Sequence, residues 1–323
     1  MGTTVLTGLS EKIFSFKAEN PPLTEITPPK DRAFSADPEK KALLSAASQV
    51  KHLTPYIGTE LVAVQLNQLT PQQKDDLALL RGVVFFRDQD LTLEQQHEFT
   101  EHYGIQDRDP NQVDPRHVTI LGRGGDIRKH GHTGGGEYHS DHSFEINPPA
   151  YTLLRVVKTP EFGGDTIFTS QTALYDKLSP TFQETLEGLH GVHSSEQYFL
   201  DSVNNGAQTF RYPVRTHPVT NLKSLFYNPS FVAHISELKN QEAIHTLNFL
   251  REHLHSADDL SVRWKWEPGS VAFWDNRVVV HRAVPGGYNV EEREGTRTAV
   301  YGEKPFYDAK GQSLSNWKES HPL

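Results

Sequence analysis

The residue pattern predicts a mainly β chain, an antiparallel barrel or jelly roll with helical additions. Three observations point there. Between residues 110 and 302, short runs rich in Val, Ile, Thr, Phe and Trp follow one another, separated by turn signals such as Gly163-Gly164 and Pro268-Gly269. Helical patterns fall mainly before that region or in inserts within it. No alternation of strand and helix marks a parallel βαβ sheet.

In chain order, residues 1–50 are polar and broken by Pro21-Pro22 and Pro28-Pro29. They predict an N-terminal arm laid across the body or across a neighbouring subunit of a homo-oligomer. The body spans 51–308. Leu61 to Leu66 reads as a strand. Thr70-Pro71-Gln72-Gln73 has the form of a capping box with proline at the first helical position, and its helix runs to Gly82. Val83 to Phe86 is a strand. Thr92-Leu93-Glu94-Gln95 repeats the capping box, and Gly104 ends that helix. Glu137 to Phe144 reads as a short strand approached by the flexible Gly131–Gly136 and stopped by Pro148-Pro149. Strands follow at Tyr151–Val157 and Thr166–Thr169, a helix at 173–191, and a hairpin around Thr220-Asn221. Ile244, Leu247, Leu250 and Leu254 recur at helical spacing between Glu242 and His255, predicting a helix packed on a sheet. Val262–Trp266, Ser270–Trp274, Val278–Val280 and Thr296–Tyr301 complete the strands, and 309–323 is a polar tail.

Composition excludes several functions. The chain of 323 residues has no cysteine, hence no disulfide framework, thiolate metal site or cysteine nucleophile. Net charge is −9 with a pI near 6.0, and no basic stripe marks a nucleic-acid binder. The N-terminus lacks a basic region followed by an apolar core, and no run reaches transmembrane length. The expectation is a cytoplasmic protein acting on a small molecule, with no nucleic-acid or membrane partner.

Chemistry gathers at His139-Ser140-Asp141. On a strand, residues two apart share a face, so an imidazole and a carboxylate would stand side by side. His281, at the end of the apolar run Val278-Val279-Val280, is the best third ligand. Its bland reading is a strand-end histidine hydrogen-bonded to Asp275. Two histidines and one carboxylate leave coordination positions open, the arrangement of non-haem Fe(II) oxygenases. Downstream, Arg293 and Arg297 would share a face of the final strand. A guanidinium grips a carboxylate bidentately, which suits the distal carboxylate of 2-oxoglutarate, and Thr166 could add a hydroxyl.

These pieces occur in order over about residues 55–307: Tyr138-His139-Ser140-Asp141, Gly163-Gly164-Asp165-Thr166, Thr216-His217-Pro218-Val219, Leu225-Phe226-Tyr227-Asn228-Pro229, Trp266-Glu267-Pro268-Gly269, and Trp274-Asp275-Asn276-Arg277 with His281, Arg293 and Arg297. The chain thereby resembles the TauD/TfdA-like Fe(II)/2-oxoglutarate-dependent dioxygenases, most closely their eukaryotic sulfonate/taurine dioxygenase-like branch. The resemblance implies a double-stranded β-helix, a cupin-like jelly roll. It implies Fe(II) on His139, Asp141 and His281, with 2-oxoglutarate and O2 as co-substrates. Thr166 and Arg293 would hold the 2-oxoglutarate tail, and Arg297 would face the substrate anion or support the co-substrate. Phe231 and Trp274 would line the substrate pocket.

One departure sets the substrate expectation. The family typically has an aromatic-Gly-x-Leu-His-x-His-Pro run, whose histidine helps bind a sulfonate. Here it reads Tyr103-Gly104-Ile105-Gln106-Asp107-Arg108-Asp109-Pro110. An aspartate facing a sulfonate would repel it unless Arg108 compensates. The expectation is therefore a small anionic, amino-acid-like substrate whose carboxylate meets Arg297 and whose amine meets Asp107 or Asp109. A sulfonate dioxygenase releasing sulfite is the alternative. Asp141 is present, where resembling halogenases lack the carboxylate, so oxygenation of a C–H bond by hydroxylation, desaturation or ring closure is expected. Two other classes compete. A zinc hydrolase built on His139, His142 and His130 or His132 would need ligands on opposite faces of the strand and lacks a His-Glu-x-x-His motif. An inert jelly-roll binder would be expected to close its metal site fully.

Overall fold

The computed structural model describes residues 25–320 apart from 81, 110–111, 122–136, 195–207 and 287. The Gly131–Gly136 approach, His130, His132 and the first half of the arm lie outside the described residues.

The described part of the arm has a short helix α1 (Lys41–Leu44) and leads into the hairpin β1 (Gln49–His52) and β2 (Thr59–Val62). The strand predicted at Leu61–Leu66 stops early, because Ala63 takes a left-handed turn (φ 61°) and Leu66–Gln68 forms a 3-10 turn. Helix α2 (Pro71–Ala78) precedes β3 (Val83–Phe86), and α3 (Leu93–Glu101) precedes β4 (Val118–Leu121). Both capping boxes form: Thr70 and Thr92 each accept from the backbone N–H three residues on, and Gln73 and Gln95 reach back.

Strands β5 (Pro149–Lys158) and β6 (Thr166–Ser170) come next. The single helix expected over 173–191 is two, α4 (Gln171–Asp176) and α5 (Pro180–Glu187), because Ser179-Pro180 caps a new start. Then come β7 (Gly191–Ser194), β8 (Gln208–Arg211), the hairpin β9 (Val214–Thr216) and β10 (Lys223–Leu225), and β11 (Val232–Ile235). Helix α6 (Asn240–His255) buries Ala243, Leu250 and Leu254 but leaves Ile244 exposed, so its apolar stripe is narrower than the spacing predicts. Strands β12 (Ser261–Trp264), β13 (Ser270–Asp275), β14 (Val279–Ala283) and β15 (Glu294–Tyr301) finish the sheets. The tail is not merely polar. It adds helix α7 (Leu314–Ser320), whose first backbone N–H groups donate to the Asp176 carboxylate.

The large sheet runs β1-β2-β3-β13-β5-β15-β4, and a three-stranded sheet β12-β6-β14 faces it. Pleating sorts the large sheet's side chains by period two. Val84, Phe86, Leu153, Val271 and Phe273 pack outward with Phe99 and Leu77 of the helices. Val83, Phe85, Leu154, Ala272 and Trp274 point inward to meet Phe168 and Trp264 of the smaller sheet. Phe85 stacks on Trp264 at 4.1 Å and meets Phe168 edge-on at 5.4 Å. β2 and β3, joined through α2, pair in parallel, the one strand–helix–strand unit among the described residues that the sequence reading did not expect; the other strand pairs are antiparallel. This sandwich of facing sheets with helices outside is the jelly-roll class that the sequence predicts. Among the described residues no helix is long and apolar enough to cross a membrane.

The arm is pinned by charge. Arg32 forks onto Asp75, and Asp31 accepts from Arg277, which is 1% exposed and also held by Asp275. Burial raises the Asp31 pKa, but the Arg277 guanidinium outweighs it and holds the carboxyl below its usual value. A lowered folded pKa gives stability that is complete above the ordinary carboxylate pKa and is lost as pH falls through the lower folded value. Asp31→Asn should therefore cost about 3 kcal/mol at pH 7, as for a broken buried pair. Urea unfolding of both proteins should show that gap shrinking as pH drops below about 4.

A candidate metal centre between the sheets

β14 is an edge strand, and one residue of the preceding chain completes its edge. His139 N donates to His281 O (3.0 Å), and His281 N donates back to His139 O (2.8 Å). Residues that exchange both bonds sit directly opposite and present side chains to the same face. The two imidazoles consequently lie 4.4 Å apart, centre to centre.

The predicted strand over 137–144 is absent. Only this one bridge forms, and a turn follows at Asp141, with His142 in the left-handed region (φ 45°). Asp141 thus reaches the imidazoles through a turn, not a pleat. Two residues fix it: Asn276 Oδ1 accepts from Asp141 N (3.0 Å) and Thr152 Oγ1 donates to Asp141 Oδ2 (2.8 Å), while Asn276 Nδ2 braces Thr152 by donating to its Oγ1 (2.8 Å). With Oδ2 so engaged, Oδ1 faces His139 Nε2 at 4.0 Å and His281 Nε2 at 3.8 Å.

The three donor atoms lie within 4.8 Å of one another. Two metal–ligand bonds of about 2.1 Å span up to roughly 4 Å, so a slight closure would let all three share one ion. Each donor is electronically suited. Glu137 O lies 3.1 Å from His139 Nδ1, so an Nδ1–H tautomer leaves the lone pair on Nε2. Burial, and then the neighbouring His139, push His281 down to about 3, so its ring is neutral near pH 7. Burial raises Asp141, yet Arg297, His281 and His139 outweigh it and hold the carboxyl well below its usual range. Arg297 Nη1 donates to Asp141 Oδ1 at 2.8 Å, a cation already at the carboxylate that a metal would use. Asp275 does not bond His281; His217 and Arg277 hold it instead.

Arg297 lies on β15 opposite Leu154 of β5. Its Nε is buried with no hydrogen-bond partner among the described residues, a donor facing no acceptor. Asp107 Oδ2 lies 4.0 Å from Arg297 and 3.4 Å from His142 Nδ1, which is 3.5 Å from Glu145. Burial alone would lower the His142 pKa, but Glu145 and Asp107 raise it to about 9. Arg108 is exposed, and Asp109 is half-buried with its N–H on Pro115 O.

Arg293 precedes β15, and a register shift follows at Glu294/Gly295, so the even spacing that would set it on one strand face with Arg297 does not apply. Its Nε donates to Gly164 O (3.0 Å), and its guanidinium lies 5.9 Å from the Trp266 ring centre. Trp266 Nε1 in turn donates to Thr166 Oγ1 (2.9 Å). Glycine is required at 164: φ is +72°, and a Cβ would sit 3.2 Å from Arg293 Cδ. Thr166 and Arg293 are therefore brought together. Thr166 also lies two residues from Phe168, the partner of His281 in β14, one pleat repeat of about 6.6 Å along β6.

Phe231 meets His139 edge-on at 6.2 Å and Phe144 at 5.2 Å. Trp274 is only 1% exposed and packs against His281 (4.8 Å) and Phe168 (5.4 Å), so it backs the histidine and offers little surface to a pocket. Sequence reasoning gave no role to Thr152, Asn276 or Asn228, and weighed His142 only as a ligand of a zinc hydrolase. Asn276 and Asn228 stand inside motifs already singled out; Asn228 Oδ1 accepts from Ser140 N and Oγ (2.7 and 3.1 Å). Thr152, a polar residue within an apolar strand, was the other available signal.

Comparison with known proteins agrees with this geometry. Residues 49–299 match the model of the family described as Taurine catabolism dioxygenase TauD, TfdA. An alpha-ketoglutarate-dependent sulfonate dioxygenase of Saccharomyces cerevisiae is 37% identical over 295 residues, covering 84% of this chain and 71% of that protein. A Schizosaccharomyces pombe protein given the same activity provisionally is 37% identical over 303 residues, covering 88% and 77%. Among solved structures, a taurine dioxygenase from Burkholderia xenovorans superposes with a TM-score of 0.69 at 34% identity, covering 82% of this chain and 94% of that one. AAD-2 in complex with Mn(II) and N-oxalylglycine superposes at 0.67 with 25% identity, covering 80% and 98%. With this match over most of its length, on a jelly roll with two histidines and an aspartate gathered between its sheets, the chain belongs to the TauD/TfdA dioxygenase family.

Proposed function

We propose that the chain is an Fe(II)- and 2-oxoglutarate-dependent dioxygenase acting on a small anionic substrate, with sulfonates the leading class. The convergence of His139 Nε2, Asp141 Oδ1 and His281 Nε2 carries this reading. These residues would hold Fe(II). Thr166 and Arg293 would take the distal carboxylate of 2-oxoglutarate, one pleat repeat from the metal ligands. Bound there, Fe(II), 2-oxoglutarate and O2 supply an oxidant able to attack an unactivated C–H bond, with release of succinate and CO2. The chain's own part is to bind and to orient. The Glu137 carbonyl fixes the His139 ring; Thr152 and Asn276 fix the Asp141 carboxylate; Phe231 and Phe144 form an apolar wall beside the ligands.

Arg297 would meet the substrate's anionic group through the donors that Asp141 does not use. Sulfonates lead for two reasons. The yeast relatives carry sulfonate dioxygenase names, and two cations that the loop read alone does not supply stand near Asp107. Compensation for Asp107 comes from His142 and Arg297, not from the exposed Arg108. That same pairing makes Asp107 a weak amine receptor, which leaves Asp109 to carry the amino-acid reading. Oxidation at the carbon bearing the sulfonate would give an aldehyde and sulfite.

The deciding assay incubates the enzyme with Fe(II), 2-oxoglutarate and a panel of alkylsulfonates and amino acids, measuring succinate and sulfite together. Equimolar sulfite and succinate from a sulfonate is expected. Succinate coupled only to an amino acid would restore the other substrate class, and no succinate with any substrate would defeat the dioxygenase reading.

Two substitutions test the assignments. Arg293→Gln should raise the 2-oxoglutarate Kd roughly tenfold to a hundredfold, read from the visible charge-transfer band of the anaerobic Fe(II) complex. Arg297→Gln should leave that Kd near wild type and lower kcat/KM for the anionic substrate by a similar factor. Thr152→Val removes a hydroxyl that touches no substrate. It should weaken Fe(II) binding by about 10- to 100-fold in an anaerobic titration, as loss of a ligand-orienting group does.

A further inference from the structure

A second group of metal-binding side chains lies on the opposite face of the large sheet. Helix α3 packs there against β15, with Gln96 Nε2 donating to Thr296 O (3.0 Å). The next residue, His97, is 1% exposed. Beyond the helix the chain comes back over it just before β4, and a turn in which His117 N donates to Asp114 O brings both residues against His97.

Asp114 Oδ2 lies 3.9 Å from His97 Nε2 and 3.9 Å from His117 Nδ1, and the two rings are 5.3 Å apart. The three donors fall within 4.8 Å of one another. Both ring nitrogens are buried and have no hydrogen-bond partner among the described residues. A buried unpartnered imidazole nitrogen is costly, and two aimed at one carboxylate call for a shared occupant. The opposite nitrogen of His97 is braced: Nδ1 lies 3.2 Å from Gln106 Nε2. Turning that carboxamide over would set its oxygen against Nδ1–H and leave the lone pair on Nε2, toward Asp114, as metal binding requires.

We propose that His97, Asp114 and His117 form a second, structural site for a divalent transition-metal ion, with Zn(II) the best fit. Two imidazoles and one carboxylate are the ligand set of a four-coordinate zinc site and are too nitrogen-rich for Mg(II) or Ca(II). The fourth position falls to Glu94, one helical turn before His97 on the same face, which closes the shell as a structural site requires. Arg116 now bridges Asp114 (2.9 Å) and Glu94 (3.1 Å), so it is the cation with which the metal competes. The ion would staple the connection between α3 and β4 to the helix. This site shares no ligand with the centre between the sheets.

The test is zinc stoichiometry of the full chain after chelator treatment, by equilibrium dialysis against a competing chelator. Wild type should bind two equivalents, His139→Ala one, His117→Ala one, and the double variant none. Co(II) added to His139→Ala should give the intense visible bands of a four-coordinate ion, absent from the double variant. Arg116→Gln removes the competing cation while leaving every ligand residue in place and should tighten zinc binding roughly tenfold. Equal stoichiometry in His139→Ala and the double variant would overturn the site, leaving the cluster to ordered water. If His117→Ala fails to fold, the Co(II) bands in His139→Ala and the Arg116→Gln shift decide the matter; absence of both overturns it.

Discussion

Keeping a carboxylate ionised at 3% exposure is the constraint on which the centre between the sheets depends. Transfer of an isolated carboxylate out of water costs far more than one hydrogen bond returns, so Asp141 must be compensated on every side. Thr152 and Asn276 take one oxygen and the backbone; Arg297 and the two imidazoles face the other. Those partners come from β5, β13–β14, β15 and the chain before β5. Their assembly around one group requires both sheets to be closed. The aromatic layer of Phe85, Phe168, Trp264 and Trp274 sets the spacing that allows it.

Much of this was legible in the sequence, for physical reasons that differ from element to element. Thr70/Gln73 and Thr92/Gln95 announced helix starts because capping is local chemistry. β3, β5 and β13 were visible because strands buried on both faces read as continuous apolar runs. The three donors at 139, 141 and 281 were found, but for a partly wrong reason: the pleat invoked for His139 and Asp141 does not exist there. A turn with a left-handed residue at 142 does the same work. The even-spacing argument for Arg293 and Arg297 lacked its premise in the same way, because Arg293 lies before β15 and a register shift follows it. Contacts made across the fold left no trace in spacing. Nothing local says that Thr152 bonds Asp141, or that His142 answers Asp107.

The group around Arg297 shows how a missing motif can mislead. Where the resemblance leads one to expect histidines, this chain has Asp107 and Asp109, which suggested a pocket hostile to anions. In three dimensions His142, from the turn that follows Asp141, faces both Asp107 and Glu145, and Arg297 lies beside Asp107. Charge at a site is a property of the assembled neighbourhood, and one loop read alone omits the cations that face its carboxylates.

The ion pairs of the arm bear on where this protein can be cut. The family match begins at residue 49, but Arg277, buried beside Asp275 and Tyr151, takes one of its carboxylates from Asp31. Asp75 likewise draws Arg32 from the same stretch. A truncation placed at the edge of the recognisable family region would remove one of the carboxylates around this guanidinium, two residues from the strand that presents Trp274, and leave Asp275 and Glu303 to balance it. Expression of a trimmed protein should therefore start upstream of Asp31, so that the pair is kept.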